Sequence, residues 1–340
     1  MSRILVVNAG STSLKLSVVE NGASSRVDEI EKAGEVEAVG HRVVHGGSRF
    51  TEPVLIDAGV RRTLEEVAEL APLHNRPALQ AIDDALRAMP DAPHVAVFDT
   101  AFHRTIPAEA ATYAVPARWR DEWGIRRFGF HGLSVQWASE QVTVPRLVVC
   151  HLGGGCSVTA VLDGKSVDTT MGYSPLEGVP MATRSGSLDA EIVLHLLRSR
   201  RLDLDAIEKA LESESGLYGL SGESARVEEL ERSRSPAAAL ALRVFAYRVA
   251  GAVGAMAASL DGLDALVFTA GIGEHSAAVR RGVCGRLRFL GVDLDHEANA
   301  SAAPDADVNA VGSRVRVRVV AAREDLVAAR AAGALLSLGT

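Results

Sequence analysis

Arg3-Ile4-Leu5-Val6-Val7-Asn8-Ala9-Gly10-Ser11-Thr12-Ser13 opens the chain with an apolar run that stops in a small, polar, glycine-bearing turn. Residues 3–7 read as a short buried strand. Beyond the turn, Leu14, Leu16 and Val18 alternate with Lys15, Ser17 and Val19, the two-residue period of a strand. Asn21-Gly22 then supplies a hairpin turn. The same layout returns at mid-chain: residues 147–152 are an apolar strand, Gly153-Gly154-Gly155 a turn, Val158, Ala160 and Leu162 an alternating strand, and Asp163-Gly164 its closing turn. A repeat of this kind implies a duplicated domain, with a binding cleft between the halves.

Strands and helices alternate around the two copies, which makes the class α/β. Residues 41–44 and 95–98 read as strands, 60–70 and 77–89 as helices, and 124–133 as a loop rich in glycine and aromatic residues. Later in the chain, 187–197 and 205–211 read as helices, 263–270 and 315–320 as strands, 300–310 as a surface loop and 324–336 as a closing helix. Residues 237–260 are long and apolar, but Arg243 and Arg248 interrupt them, so the stretch reads as a buried amphipathic helix and not a membrane span.

Composition narrows the function. The 340 residues suggest two domains, and 47% hydrophobic with 23% charged residues is ordinary globular usage. A net charge of −7 gives no field that would draw the chain to nucleic acid or an anionic membrane. A small anionic substrate must therefore be held by local cations. Cys150, Cys156 and Cys284 show no CxxC spacing, which argues against a disulfide framework or a zinc site and for a reducing cytoplasm. No signal peptide is evident at the start of the sequence.

Three glycine-rich turns follow strands: 8–13, 153–155 and Gly271-Ile272-Gly273-Glu274. Glycine lets backbone N–H groups approach a phosphate closely. None of the three is a P-loop or a dinucleotide fingerprint; a glycine at a hairpin corner is ordinarily just a turn, but three at strand ends of two similar halves favour a phosphate site. Cations stand nearby in unusual company: Arg42 in Gly40-His41-Arg42-Val43-Val44-His45-Gly46-Gly47, Arg184 in Thr183-Arg184-Ser185-Gly186-Ser187, His131 in Phe128-Gly129-Phe130-His131-Gly132, and His74 in Ala71-Pro72-Leu73-His74-Asn75. Taken singly, each is as easily a surface or structural residue. Together they suit phosphoryl transfer to a carboxylate, which brings two anions together and needs their repulsion cancelled. A carboxylate nucleophile is ionised at neutral pH and needs no general base. Asp99, just past a buried strand, and Glu324, at the start of the last helix, are oxygen donors for magnesium, although an acid at a helix start is also favoured by the dipole.

These runs, with Phe98-Asp99-Thr100-Ala101-Phe102-His103, Pro175-Leu176-Glu177-Gly178 and Phe268-Thr269-Ala270-Gly271-Ile272-Gly273-Glu274, resemble the acetate kinase family from the first strand to the last helix. The resemblance implies a duplicated actin-like (ribonuclease H-like) two-domain α/β fold with a nucleotide cleft between the domains. It places residues 1–99 plus 326–340 in the first domain and 100–325 in the second. It implies a cytoplasmic homodimer that binds neither nucleic acid nor membrane and moves a phosphoryl group in line and reversibly between ATP and acetate, giving acetyl phosphate and ADP, with Mg2+ (Mn2+ as a substitute). Carried over residue by residue, Arg42, Asp99, His131 and Arg184 would be catalytic. Arg42, Val44, Leu73, His74, Phe130, Pro175 and Arg184 would hold the carboxylic acid. Asn8, Ser11, Ser13 and Lys15, His151 with Gly153, Gly154 and Gly155, and Gly271, Ile272 and Gly273 would bind nucleotide and phosphate. Asn8, Asp99 and Glu324 would serve the metal.

The sequence departs from the family pattern at the nucleoside end: Gly154, His275 and Arg323 stand where the family has asparagine, and Arg226-Val227-Glu228 where it has Asp-Phe-Arg. ATP is the expected donor, with pyrophosphate or another nucleoside triphosphate as alternatives. Propionate and butyrate are alternative acceptors, since one methylene is worth only about 1–3 kcal/mol of discrimination. The remaining alternatives are an actin-like scaffold without transferase activity, which would have no need of Arg42, Arg184 and His131, and a homologue that has lost catalysis.

Overall fold

Each of the two hairpins seeds a six-stranded sheet. A computed structural model describes residues 2–9, 14–68 and 72–337, the side chains of 72–74 excepted. In the first sheet β1 (Arg3–Ala9) pairs antiparallel with β2 (Leu14–Glu20), and β2 with β3 (Ala23–Val27). On its other side β1 runs parallel to β4 (Ala38–Val43), which runs parallel to β6 (His94–Phe98); β5 (Val54–Leu55) closes that edge antiparallel to β6. The order is β3-β2-β1-β4-β6-β5.

The second sheet is built from β7 (Arg146–Leu152), β8 (Cys156–Leu162), β9 (Lys165–Thr169), β10 (Ala265–Thr269), β11 (Ala306–Asp307) and β12 (Arg316–Val319). Its order, β9-β8-β7-β10-β12-β11, repeats the first strand for strand, with the same parallel and antiparallel pairs. The duplication read from two hairpins therefore extends over both sheets.

The chain divides into two compact units. One comprises Met1–Thr105, Val115–Trp137 and Arg323–Thr340; the other comprises Ile106–Ala114 and Ala138–Ala322. This division gives 115–137 to the first unit, whereas the sequence reading begins the second domain at residue 100. The packing shows why. The Gly132 N–H donates to the Asp99 carbonyl at 3.0 Å, His103 Nε2 meets the Phe130 carbonyl at 2.8 Å, and Leu133 joins the first unit's core.

That core lies on both faces of the first sheet. Ile4, Val6, Ala38 and Val95 pack against Val327, Ala328, Ala329 and Ala332 of the closing helix Glu324–Leu335. Leu5, Val7, Leu16 and Val39 pack on the other face with Ala78, Ala81 and Ala85 of the helix Pro72–Ala88. In the second unit the helix Pro236–Ser259 buries Ala238, Ala241, Phe245, Val249, Val253 and Met256, spaced three and four residues apart, and leaves Leu240, Tyr247 and Arg248 outside. Its length and composition alone would let it cross a membrane; one face is instead spent on the protein core.

Three local expectations need correction. The turn expected at 271–273 is the beginning of a helix, Ala270–His275, entered through Ala270 at φ 64°. The glycine- and aromatic-rich loop ends by starting the helix Gly132–Gln141. The segment 300–310 is not loop throughout: β11 pairs there with β12, and Leu294 bridges Asn309. All three are set by tertiary pairing, which short apolar or glycine-bearing runs do not announce.

Candidate active site

In the first unit parallel strand register gathers three of the expected side chains, and the last helix adds a fourth. Asn8 near the end of β1 lies opposite Arg42 of β4, and Asp99 follows β6 immediately, its N–H donating to the Val43 carbonyl at 3.1 Å. Arg42 donates from Nε to Asp99 Oδ1 at 2.9 Å and from Nη2 to Oδ2 at 2.5 Å, a two-point fork. Its Nη1 donates to Asn8 Oδ1 at 2.9 Å and lies 3.6 Å from Glu324 Oε2, which accepts from Asn8 Nδ2 at 3.3 Å. The ends of three strands and the start of the last helix thus meet in one cluster.

Its electrostatics are those of a buried pair. Asp99 is fully buried and Arg42 nearly so. Burial works against the Arg42 charge, but Asp99 and Glu324 outweigh it and hold the guanidinium above its ordinary pKa. Burial pushes the Asp99 carboxyl up, and the Glu324 charge adds to this, while Arg42 and the His131 N–H pull it back.

His131 enters this cluster through its backbone. Its N–H reaches the Asp99 carboxylate, and its φ of 58° lies in the left-handed region that non-glycine residues seldom occupy. Gly132 follows necessarily, because a Cβ there would overlap the Asp99 carbonyl. Val44 and Phe130 are buried, and the His45 ring packs in T-shaped contacts with Phe128 and Phe130. Asn75, which sequence reasoning gave no role, holds that loop: its Oδ1 accepts from the His45 N–H at 3.1 Å and its Nδ2 donates to the His45 carbonyl at 2.9 Å. Lys15, opposite Asn8 on β2, is exposed. Ser11 and Ser13 lie outside the described residues, as do the side chains of Leu73 and His74.

In the second unit two loops and the start of a helix converge. The Gly153 N–H donates to the Gly155 carbonyl at 3.0 Å, which closes the turn after β7, and a Cβ on Gly153 would lie 3.5 Å from Ala270 Cβ and 3.7 Å from His151 Nε2. The Gly154 carbonyl accepts from the Ala182 N–H at 3.2 Å and so touches the turn that carries Arg184. Gly271, Ile272 and Gly273 sit on the helix just beyond β10, whose Thr269 pairs with His151 of β7. A Cβ on Gly154 would meet nothing within 4 Å.

Arg184 is mostly buried. Its Nε lies 3.0 Å from Glu212 Oε2, and its Nη1 donates to the Pro175 carbonyl at 3.3 Å. Burial lowers the Arg184 pKa and raises that of Glu212, and each partner's charge opposes the shift. Sequence reasoning missed Glu212, for on the helix Leu204–Ser213 it reads as one more surface acid. Of the residues that depart from the family pattern, Arg226 makes exposed ion pairs with Glu228 and Glu229.

The profile of the acetokinase family matches residues 25–330. The chain belongs to the acetokinase family. It is 42% identical over 324 residues to the acetate kinase of Halothermothrix orenii, covering 92% of this chain and 81% of that one. Among solved structures, a propionate kinase from Francisella tularensis superposes with a TM-score of 0.91 at 33% identity, with both chains covered in full. The acetate kinase of Porphyromonas gingivalis superposes at 0.89 and 31% identity, over 99% of this chain and 100% of that one. An acetokinase fold is a duplicated actin-like α/β fold, and the matching strand order of the two sheets is its signature here.

Proposed function

We propose that this acetokinase is an acetate kinase that moves the terminal phosphoryl group of ATP reversibly to acetate. The observation that carries the reading is the Arg42 cluster: a buried, permanently charged fork whose orientation is held by Asp99, Asn8 and Glu324. An acetate oxygen attacks the terminal phosphorus in line, the bond from that phosphorus to the bridging oxygen breaks, and ADP leaves with the electron pair. No proton moves, in keeping with a carboxylate that is already ionised. Arg42 and Arg184 cancel charge on carboxylate and phosphoryl oxygens, and the His131 ring donates to the phosphoryl group as negative charge spreads over it. Val44, Leu73, His74, Phe130 and Pro175 receive the acyl end. Asn8, Ser11, Ser13 and Lys15, His151 with Gly153, Gly154 and Gly155, and Gly271 to Gly273 serve the nucleotide phosphates.

The donor set suits Mg2+. Asp99, Glu324 and the Asn8 carbonyl are hard oxygen donors, and the two carboxylates exceed the charge of Arg42 by one. Among the described residues no group of three or more His, Cys, Asp or Glu forms a cage for a metal. Mg2+ needs no cage, because phosphate oxygens and water complete its shell. Such an ion would neutralise charge on the phosphates. Cytoplasmic location and a homodimeric state belong to the same proposal; light scattering on the purified chain tests the second.

The structural match to a propionate kinase favours one second reading, propionate as acceptor. The test is hydroxylamine trapping of acyl phosphate from acetate, propionate or butyrate, with Mg2+ and ATP, GTP or pyrophosphate. Product from acetate and ATP with the highest kcat/KM supports the proposal. A higher value for propionate moves the acceptor, product from pyrophosphate alone moves the donor, and no product at all overturns the kinase reading. Arg184→Ala should lower turnover by about two orders of magnitude or more; near-normal turnover removes it from the site.

A further inference from the structure

The segment Ile106–Ala114 belongs to the second unit although the chain on both sides of it belongs to the first. Its short helix Ala108–Ala111 lies against β9, and two residues on Tyr113 reaches the loop that follows β9. The Tyr113 hydroxyl donates to Glu177 Oε2 and accepts from the Tyr173 N–H at 2.9 Å. The loop is shaped around this clasp. At Gly172 a Cβ would overlap both the Glu177 carboxylate and the Tyr113 hydroxyl, so a side chain there would push the two apart.

The far end of the loop is also tied. Gly178, at φ 115°, takes the Ser187 hydroxyl on its N–H at 3.1 Å, and its carbonyl receives the Ser187 N–H at 2.8 Å. Between these two anchors stands Pro175, whose carbonyl accepts from Arg184 Nη1. Arg184 has Glu212 on its Nε and Met181 Sδ at 3.8 Å from its Nη1, and the Pro175 carbonyl is one of the points that set the plane of the guanidinium. A loop free to shift would let that plane swing, and a planar two-point donor loses most when its angle is lost.

We propose that Tyr113 and Glu177 are positioning residues, a clasp that fixes the Pro175 carbonyl and through it the guanidinium of Arg184, and so sets affinity and chain-length selectivity for the carboxylate. This rests on the reading of Pro175 and Arg184 as carboxylate-binding groups. Neither clasp residue touches the reacting atoms; their effect passes through the loop. Removing one hydroxyl should leave the fold intact and act on carboxylate binding more than on the nucleotide.

The experiment compares Tyr113→Phe, Glu177→Gln and Gly172→Ala in the full chain, with acetate and propionate as acceptors. Tyr113→Phe should raise the acetate KM about three- to tenfold and change the acetate-to-propionate ratio of kcat/KM, with the ATP KM and the melting temperature little moved. Glu177→Gln keeps an acceptor for the phenol and should fall between wild type and Tyr113→Phe; Gly172→Ala should resemble Tyr113→Phe. Unchanged carboxylate KM and ratio in Tyr113→Phe overturn the clasp. Equal losses for both acids and for ATP, together with a lower melting temperature, also overturn it, since they mark a residue of purely structural consequence. Arg184→Ala separates the two levels. If it leaves the carboxylate KM untouched, the reading of the site fails and the clasp with it; if it raises that KM while Tyr113→Phe does not, the clasp alone fails.

Discussion

Arg42 and Asp99 meet through a two-point fork on neighbouring strand ends, Nε to Oδ1 at 2.9 Å and Nη2 to Oδ2 at 2.5 Å, with Asp99 fully buried. Burial pushes the Asp99 carboxyl up and works against the Arg42 charge, and each partner opposes the shift in the other. Removing one partner of such a pair costs about 3–5 kcal/mol, because the charge left behind has lost its water as well. If Asp99 acts chiefly by aiming Arg42, then Asp99→Asn, Arg42→Ala and the double variant should be far from additive in kcat/KM, the double being no worse than the worse single. Additive losses would show Asp99 to have a separate duty, and an accompanying change in Mg2+ dependence would identify that duty as metal binding.

Acid should destabilise the first unit through two buried histidines. Burial, with His94 adding, lowers the His41 pKa from 6.5 to about 3, and burial lowers His103 to about 4. Between those values and 6.5 the unfolded chain binds protons that the folded chain excludes, so stability is complete above about pH 6.5 and declines as pH falls towards 4. Urea midpoints at pH 7 and pH 5 should differ in that sense. His103→Gln, which keeps a donor towards the Phe130 carbonyl, should flatten the dependence; an unchanged slope would exclude His103 as a contributor.

Two glycines of the site should answer a side chain in opposite ways. At Gly132 a Cβ would overlap the Asp99 carbonyl and crowd Phe102, so Gly132→Ala should cost about 1–3 kcal/mol and disturb His131 and Asp99 together. At Gly154 there is nothing within 4 Å, so Gly154→Asn should leave the urea midpoint in place. Any effect of Gly154→Asn should then appear in the nucleotide KM, where the sequence departs from its family.

Glu324→Gln should separate charge from structure. The amide still accepts from Asn8 Nδ2, but the lost carboxylate gives up about 0.3–1 kcal/mol of dipole interaction and the 3.6 Å ion pair with Arg42. Stability should therefore fall modestly, with Asp99 still paired to Arg42. Affinity for Mn2+ in the presence of ATP, measured by direct titration, should fall about tenfold or more. Unaltered metal affinity would take Glu324 out of the metal's surroundings.

The architecture was legible where a local pattern repeated. Two apolar strands ending in glycine and two hairpin signals were enough to reveal a duplication, because strand alternation and turn chemistry are local properties. Local signals failed wherever a neighbour distant in sequence decided the outcome: 270–275 is helical beyond a left-handed Ala270, β11 exists because β12 accepts it, and Glu212 and Tyr113 carry no mark of the partners they find.

The sequence by itself determined which residues are candidates for the chemistry, since an arginine between two histidines and near three glycines, or an aspartate closing an apolar strand, is visible without coordinates. Tertiary structure alone decided what holds them. Parallel register brings Asn8, Arg42 and Asp99 together from positions up to 91 residues apart, and the returning last helix adds Glu324. Register and helix docking are set by the packing of whole faces, Ile4, Val6 and Val95 against Val327 and Ala328 among them. That is a collective property of the core, which no single stretch of the chain encodes.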